Sequence, residues 1–314
     1  MSNLAPTTTA EPCASEPDKP TFQELPGRLT DLGGLPIRRL LPRSQRRLVG
    51  PWCFLDAYGP LSFTGKPMDV APHPHIGLQT VSWLLEGEVE HHDSLGLAAT
   101  AAPGTVNLMT AGSGIAHAEE TPRANSGRLR GVQLWVALPD AARNVEPAFE
   151  SHRNLPSLDL GRARATVILG GLAGVRAPGR AFSPVVAADL ALPPGRSVSL
   201  PLDHGYEHAL VPLAGSLELE GRALSVDALY YLGCGRRELL IASTGEPARA
   251  LLLGGAPFGE TVLMWWNFVA RSHDEIAAAR ADWEAGRRFG AVAYAGPRTK
   301  APALLARAVP PAAS

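Results

Sequence analysis

The sequence predicts an all-β protein: two β-barrels in tandem, with one short helix near the C-terminus. Three observations carry this. The chain has 314 residues, more than one ordinary core takes up, so about two domains are expected. Its apolar runs are strand-length, rich in β-branched and aromatic residues, and broken by turn residues. Glycine (32) and proline (29) are both abundant, which suits short strands and turns better than long helices.

Taken in order, residues 1–20 are rich in Thr, Ala, Pro and Glu and are expected to be a disordered tail. Residues 21–150 form the first barrel. Within it Thr80–Leu85 alternates as a strand, Glu86-Gly87 turns, and Glu88–His92 returns. Asp93–Gly96 is a further turn, Pro103-Gly104 opens a loop, and Thr105–Met109 and Gly131–Ala137 are later strands. Residues 151–180, with much Gly, Ala and Arg, read as a linking segment outside the core. Residues 181–296 form the second barrel, with strands at Val185–Leu192, Arg196–Leu200, His208–Pro212, Ser216–Leu219, Ala228–Leu232, Glu238–Ala242 and Ala248–Leu253.

The helix belongs to this second unit. Ser272 with Glu275 three residues on is a capping box. The run to Arg287 is rich in helix formers, and Ile276, Ala279 and Trp283 share a face that should pack on a barrel. Gly290 is the expected stop. Residues 297–314 read as a tail, mostly disordered, with at most a short helix around Ala303–Ala308.

Composition excludes several function classes. Twenty-nine basic residues face 30 acidic ones, so bulk electrostatics favour neither nucleic acid nor an anionic membrane. No apolar stretch approaches the roughly 20 residues of a membrane helix. The start lacks the basic and apolar regions of a signal peptide. Cys13, Cys53 and Cys234 are scattered and odd in number, which implies no disulfide framework and a reducing, cytoplasmic compartment.

Two short motifs carry chemistry. In His73-Pro74-His75 the imidazoles sit at i and i+2, which share one face of a strand. Pro74 cannot donate to a ladder, so this stretch is a strand start, an edge or a bulge. His117-Ala118-Glu119 repeats the geometry with an imidazole and a carboxylate. Either pair alone has an ordinary reading as a partly exposed strand pair. Together on neighbouring strands they offer three nitrogens and one oxygen, a set suited to Fe(II), Mn(II), Zn(II), Ni(II) or Cu(II). Gln79, four residues after His75, is expected to point inward and donate to a metal-bound water or substrate oxygen without ligating. His91 and His92 read as an exposed or Asp93-bonded pair, and the second barrel, whose strands hold only His204 and His208, as metal-free.

The stretches Val49–Asp56, Pro72–Glu88, His92–Gly96, Met109–Glu119 and Gly131–Trp135 resemble the pirin family over most of 35–150. Met264–Ala270, the capped helix and Gly286–Phe289 resemble pirin C-terminal regions more loosely. The resemblance implies a bicupin of two jelly-roll barrels. It implies one Fe(II) in the N-terminal barrel, held by His73, His75, His117 and Glu119; Mn, Ni, Cu or Zn are alternatives. Many pirins carry Glu where this chain has Gln79. Two functions follow. One is a quercetin 2,3-dioxygenase-like enzyme, binding a small aromatic hydroxyketone and dioxygen, with Glu119 accepting the hydroxyl proton. The other is a non-catalytic, redox-sensing iron protein read by a protein partner. An open cleft favours the first and a closed mouth the second.

Overall fold

The structure, a computed structural model, describes residues 20–32 and 34–304. The expected N-terminal tail (except Pro20), Cys13 and most of the helix proposed near Ala303–Ala308 lie outside the described residues. The chain begins with strands β1 (Gln23–Pro26), β2 (Arg28–Leu32), β3 (Leu35–Leu41), β4 (Trp52–Ser62), β5 (Asp69–His75) and β6 (Leu78–Gly87). β7 (Val89–Asp93), β8 (Ala98–Ala101), β9 (Thr105–Thr110), β10 (Ile115–Glu120), β11 (Arg128–Ala137) and β12 (Ala148–Arg153) follow. Next come β13 (Ser157–Leu160), β14 (Ala163–Leu172), β15 (Val175–Arg176), β16 (Val185–Leu192), β17 (Ser197–Pro201), β18 (Glu207–Ala214) and β19 (Leu217–Leu219). The rest are β20 (Arg222–Leu224), β21 (Ala228–Gly233), β22 (Glu238–Ser243), β23 (Ala248–Gly255), β24 (Leu263–Trp265), β25 (Phe268–Ala270) and helix α1 (His273–Glu284).

These strands make two jelly rolls of matching topology. In the first, a large sheet ordered β12-β9-β6-β11-β4-β3-β2 faces a small sheet ordered β5-β10-β7-β8. In the second, β1-β21-β18-β23-β16-β14-β13 faces β17-β22-β19-β20. The outermost strands are exchanged. β1 precedes the first barrel yet pairs with β21 of the second, and β12 precedes the second yet pairs with β9 of the first. Each exchange covers a sheet edge that would otherwise present unpaired backbone groups.

The two large sheets pack against each other. Val81, Trp83, Val132, Leu134 and Val136 from one mesh with Ala187, Ala209, Val211, Leu251 and Leu253 from the other. Polar ties cross the same interface: Trp83 Nε1 donates to Asp189 (3.0 Å) and Trp52 Nε1 to the Gly254 carbonyl (2.9 Å). The second barrel keeps its own apolar interior, including Leu200, Leu239 and Ile241 on its small sheet.

Five expectations are corrected. The segment 151–180 is not a mere link, because β14 runs through it and buries Ala163, Ala165 and Val167 in the second core. Inward residues there alternate with Arg164 and Thr166, the period of a half-buried strand. The helix does not cover the second barrel. It packs on β25, which contacts β5 of the first. Its stop is Gly286 and not Gly290: Gly286 has φ +69°, and the N–H groups of Gly286 and Arg287 return to the carbonyls of Trp283 and Asp282, a Schellman closure. The cap is as expected, with Ser272 accepting from the Glu275 N–H. Residues 297–304 are not free tail, since Thr299 donates to the Pro72 carbonyl and Ala301 is buried. Among the cysteines, Cys53 is a buried free thiol and Cys234 is disulfide-bonded, against the expectation of unpaired cysteines. Among the described residues no helix is long and apolar enough to cross a membrane.

His208, buried at the start of β18, gives a pH prediction. Burial, with Arg236 adding and Asp203 opposing, pushes its imidazole down to about 4. The unfolded chain therefore takes up a proton first as pH falls below the usual histidine value of about 6.5. Stability is lost from there down to about 4 and then levels off. Between pH 7 and 5 this amounts to about 2 kcal/mol. His208→Leu should lose correspondingly less stability over that interval in urea unfolding. Parallel losses in both proteins would refute the assignment.

Candidate metal centre

The site is built on β5 and β10 of the first barrel's small sheet. Their pairing sets His117 opposite His73 and Ile115 opposite His75. The register slips between His117 and Glu119, where Glu119 faces Val70. β5 thus holds one extra residue at Ala71-Pro72, a bulge at an edge strand. Two prolines in Pro72-His73-Pro74-His75 cannot donate to a ladder, so this is where the strand bends. On its other side β10 pairs with β7, placing His117 opposite Asp93 and Glu119 opposite His91.

The ligand-type atoms of His73, His75 and His117 all lie within 4.8 Å of one another, and all three rings are buried. Their outer nitrogens are anchored. His73 Nδ1–H donates to the Ala71 carbonyl (3.0 Å) and His75 Nδ1–H to the Asn267 carbonyl (2.9 Å). His117 Nδ1 is 3.2 Å from His91 Nδ1. This leaves Nε2 of His73 and His75 as lone pairs, and the Nε2 atoms of His75 and His117 sit 3.0 Å apart. Two nitrogens bound at about 2.1 Å and about 90° to one ion would have about that separation. Trp135 walls the cluster, its ring 5.1 Å from His75 and stacked on Phe54.

Electrostatics agree with a ligand role. Burial pushes His73 down to about 4. Burial and the neighbouring His73 drive His75 and His117 well below the usual histidine range. All three are neutral at pH 7, the state a metal requires. Burial raises Glu119, with His91 partly opposing. The donor set therefore fits a divalent cation.

Glu119 is offset from the three imidazoles. It groups with His91 and His117 within 4.8 Å and borders a chamber of about 10 Å³ lined also by Asp56, Tyr58, Ser82 and Gln133, room for about one water. Gln133 Nε2 approaches Glu119 Oε1 at 3.5 Å and Gln133 Oε1 accepts from Ser82 (2.6 Å).

The expectation for Gln79 is corrected. β5 ends at His75 and β6 begins at Leu78 in the other sheet, so counting along one strand does not apply. At the switch Gly77 has φ +67°, and a Cβ there would lie 2.1 Å from the Val269 carbonyl. Gln79 shares a face with Val81 and Trp83 in the inter-barrel core and donates to Thr110 (2.9 Å) and the Arg180 carbonyl (3.0 Å). The amide beside the site is Gln133. Its signal was available: in Gly131-Val-Gln-Leu-Trp135 it alternates with apolar residues and shares parity with Trp135. His91, read as exposed or Asp93-bonded, is buried and bonded to Asp93 (3.2 Å). Asn267, on the β24–β25 turn, had no signal.

Two jelly rolls with a His-rich pocket in the first define a two-domain cupin. The Pirin family model matches residues 34–136 and the Pirin C-terminal cupin domain model residues 187–290. The chain belongs to the pirin family. It is 46% identical over 287 residues to a Pseudomonas aeruginosa protein provisionally named a quercetin 2,3-dioxygenase, covering 90% of each chain. A pirin-like protein of Caulobacter vibrioides is 40% identical, over 83% of this chain and 92% of that one. Among solved structures, a quercetin 2,3-dioxygenase from Acinetobacter baumannii superposes with TM-score 0.87 and 40% identity, covering 90% of this chain and 96% of that chain.

Proposed function

We propose that the chain is a metal-dependent oxidoreductase that opens a flavonol-type ring with dioxygen. One divalent ion, Fe(II) first, is held by His73, His75, His117 and Glu119. The observation that carries this is the cluster of three buried, neutral imidazoles with their outer nitrogens anchored. The names of the Pseudomonas and Acinetobacter relatives supply the substrate class. The ion supplies a Lewis-acid and redox centre where a hydroxyketone and dioxygen meet. The chain supplies the rest. The anchored imidazoles would hold the ion's donor nitrogens in place, Trp135 walls one side of the cluster, and Glu119, a buried carboxylate beside His117, would take the substrate hydroxyl proton. Gln133 steadies the carboxylate.

Dioxygen uptake by the anaerobically Fe(II)-loaded protein should rise on adding quercetin, with about one dioxygen consumed per flavonol, and the metal-stripped chain should show none. A fully loaded protein that leaves quercetin and related polyphenols intact would remove the catalytic reading. The burial of all four side chains would then favour the second reading, a redox-responsive site whose surface a protein partner senses.

A further inference from the structure

We infer that the open end of the second barrel is a binding site for a small organic acid, a carboxylate carried on an apolar body. A cavity of about 630 Å³ lies there, within the roughly 300–1,000 Å³ usual for small-molecule sites. It is bounded by the end of β14, the β14–β15 hairpin, the starts of β16 and β18, and the β17–β18 connection. In the matching order of the sheets, β17 and β18 stand where β5 and β6 stand in the first barrel. The cavity therefore occupies the end that corresponds to the metal centre. It lacks the donors of that centre. His208 is its one imidazole and Asp203 its one carboxylate, and among the described residues every group of three potential metal ligands belongs to the first barrel. Such a lining suits an organic ligand and not an ion.

The walls are largely apolar: Leu172, Val175, Ala177 and Val186 line the cavity and continue into the second barrel's core. Three polar side chains line it with their hydrogen-bonding capacity unspent. His208 is 1 % exposed and shares the inward face of β18 with Leu210. Its buried Nδ1 has no hydrogen-bond partner, and the Tyr206 backbone is the smallest influence on the ring. A buried imidazole left in this state calls for a partner, and the cavity is where one can enter. The Arg176 guanidinium and the Tyr206 hydroxyl make no ion pair or side-chain hydrogen bond among the described residues. They are near each other and near His208. Burial raises the Tyr206 hydroxyl, with Asp203 adding and Arg176 opposing, and the Tyr206 ring lies 6.2 Å from that of His208. One guanidinium and one phenol hydroxyl are donors for a carboxylate, and a charge-assisted bond to the guanidinium is the stronger. Asp203, whose Oδ1 accepts from the Gly205 N–H (2.9 Å), is the one opposing charge. It limits the ligand to a single acid group directed at Arg176 and favours a hydroxyl elsewhere on its body.

The test is calorimetric titration of the metal-free full chain with benzoate, 4-hydroxybenzoate and hexanoate, and with benzamide as the neutral counterpart of benzoate. Histidine ring NMR signals locate the bound molecule. At least one acid should bind with a dissociation constant below about 1 mM and shift the His208 ring, leaving those of His73, His75 and His117 in place. Benzamide should bind at least about tenfold more weakly than benzoate. Arg176 is exposed, so Arg176→Gln leaves the core intact, and it should weaken the acid at least about tenfold. Tyr206→Phe should weaken it about threefold or more. His75→Ala, which alters the first barrel alone, should bind the acid as the unaltered chain does. No binding of any of the three acids up to about 10 mM, equal binding of benzamide, or undiminished binding by Arg176→Gln would each overturn the inference. Shifts at His73 or His117 without one at His208 would place the acid in the first barrel and overturn it as well. Because the protein carries no metal in these titrations, their outcome is independent of the metal-centre reading.

Discussion

Replacing His75 by alanine is expected to lower the affinity for Fe(II) by more than about 100-fold, the upper range for loss of an outer partner, while both barrels stay folded. His75 is central in the cluster. Its Nε2 is 3.0 Å from that of His117, and its ring lies 4.9 Å from those of His73 and His117. Removing it leaves two imidazoles and a carboxylate, and no side chain on the large sheet takes its place: Trp135 is the neighbour on that side. The structural cost is local. The Asn267 carbonyl loses a donor, an expense of about 1–3 kcal/mol if water does not reach it. His75 lies on the first barrel's small sheet, whereas the inter-barrel core is built between the two large sheets. Metal content of purified protein should fall from about one ion per chain to a trace, with circular dichroism unchanged. Full iron retention in a folded variant would exclude His73, His75, His117 and Glu119 as the donor set. Among the described residues the second barrel gathers no group of three potential ligands, so a stoichiometry of two would have no account in this geometry.

Much of this was legible because it is local. Val185–Leu192 is a strand with the bounds its apolar run suggests, and Ser272 caps the helix through the Glu275 N–H as the spacing requires. The two histidine pairs could be read because period two places i and i+2 on one face. What could not be read is which sheet a strand joins. The exchange of β1 and β12 depends on pairing partners far apart in the chain. The failure at Gln79 has the same origin. Gly77 allows a sheet switch that breaks the parity count, and only the packed interface shows that Gln79 belongs with Val81 and Trp83. Segment 151–180 was misjudged for a different reason. Ala163, Ala165, Gly170 and Gly171 are weak strand formers by propensity, and tertiary packing against β16 outweighs it.

Trp283→Ala should show that the segment following the second barrel is a working part of the first. The indole is buried in a cluster with Ile76, Ala116, Phe268, Ile276 and Ala279. Ile76 adjoins His75 and Ala116 adjoins His117 in sequence, so this cluster is the back wall of the metal centre. Trp283 Nε1 also donates to the Thr299 carbonyl (2.9 Å), and Thr299 in turn donates through N–H and Oγ1 to the Pro72 carbonyl (2.9 and 3.0 Å). Pro72 precedes His73 at the β5 bulge. Removing the indole opens a cavity and cuts this tie, at a cost of about 3–5 kcal/mol. The loss should be local before it is global, because the two large sheets hold each other without this helix. Hydrogen exchange should therefore speed up first in α1, in β25 and in residues 297–304, and next in β5. Fe(II) affinity should fall with it, since the Asn267 carbonyl that orients His75 sits on the loosened hairpin. Trp283→Phe, which keeps most of the volume but not the N–H, separates the two contributions. It should recover most of the stability and less of the protection in β5. Unchanged exchange in β5 with the helix visibly loosened would show that the metal strand holds its shape unaided.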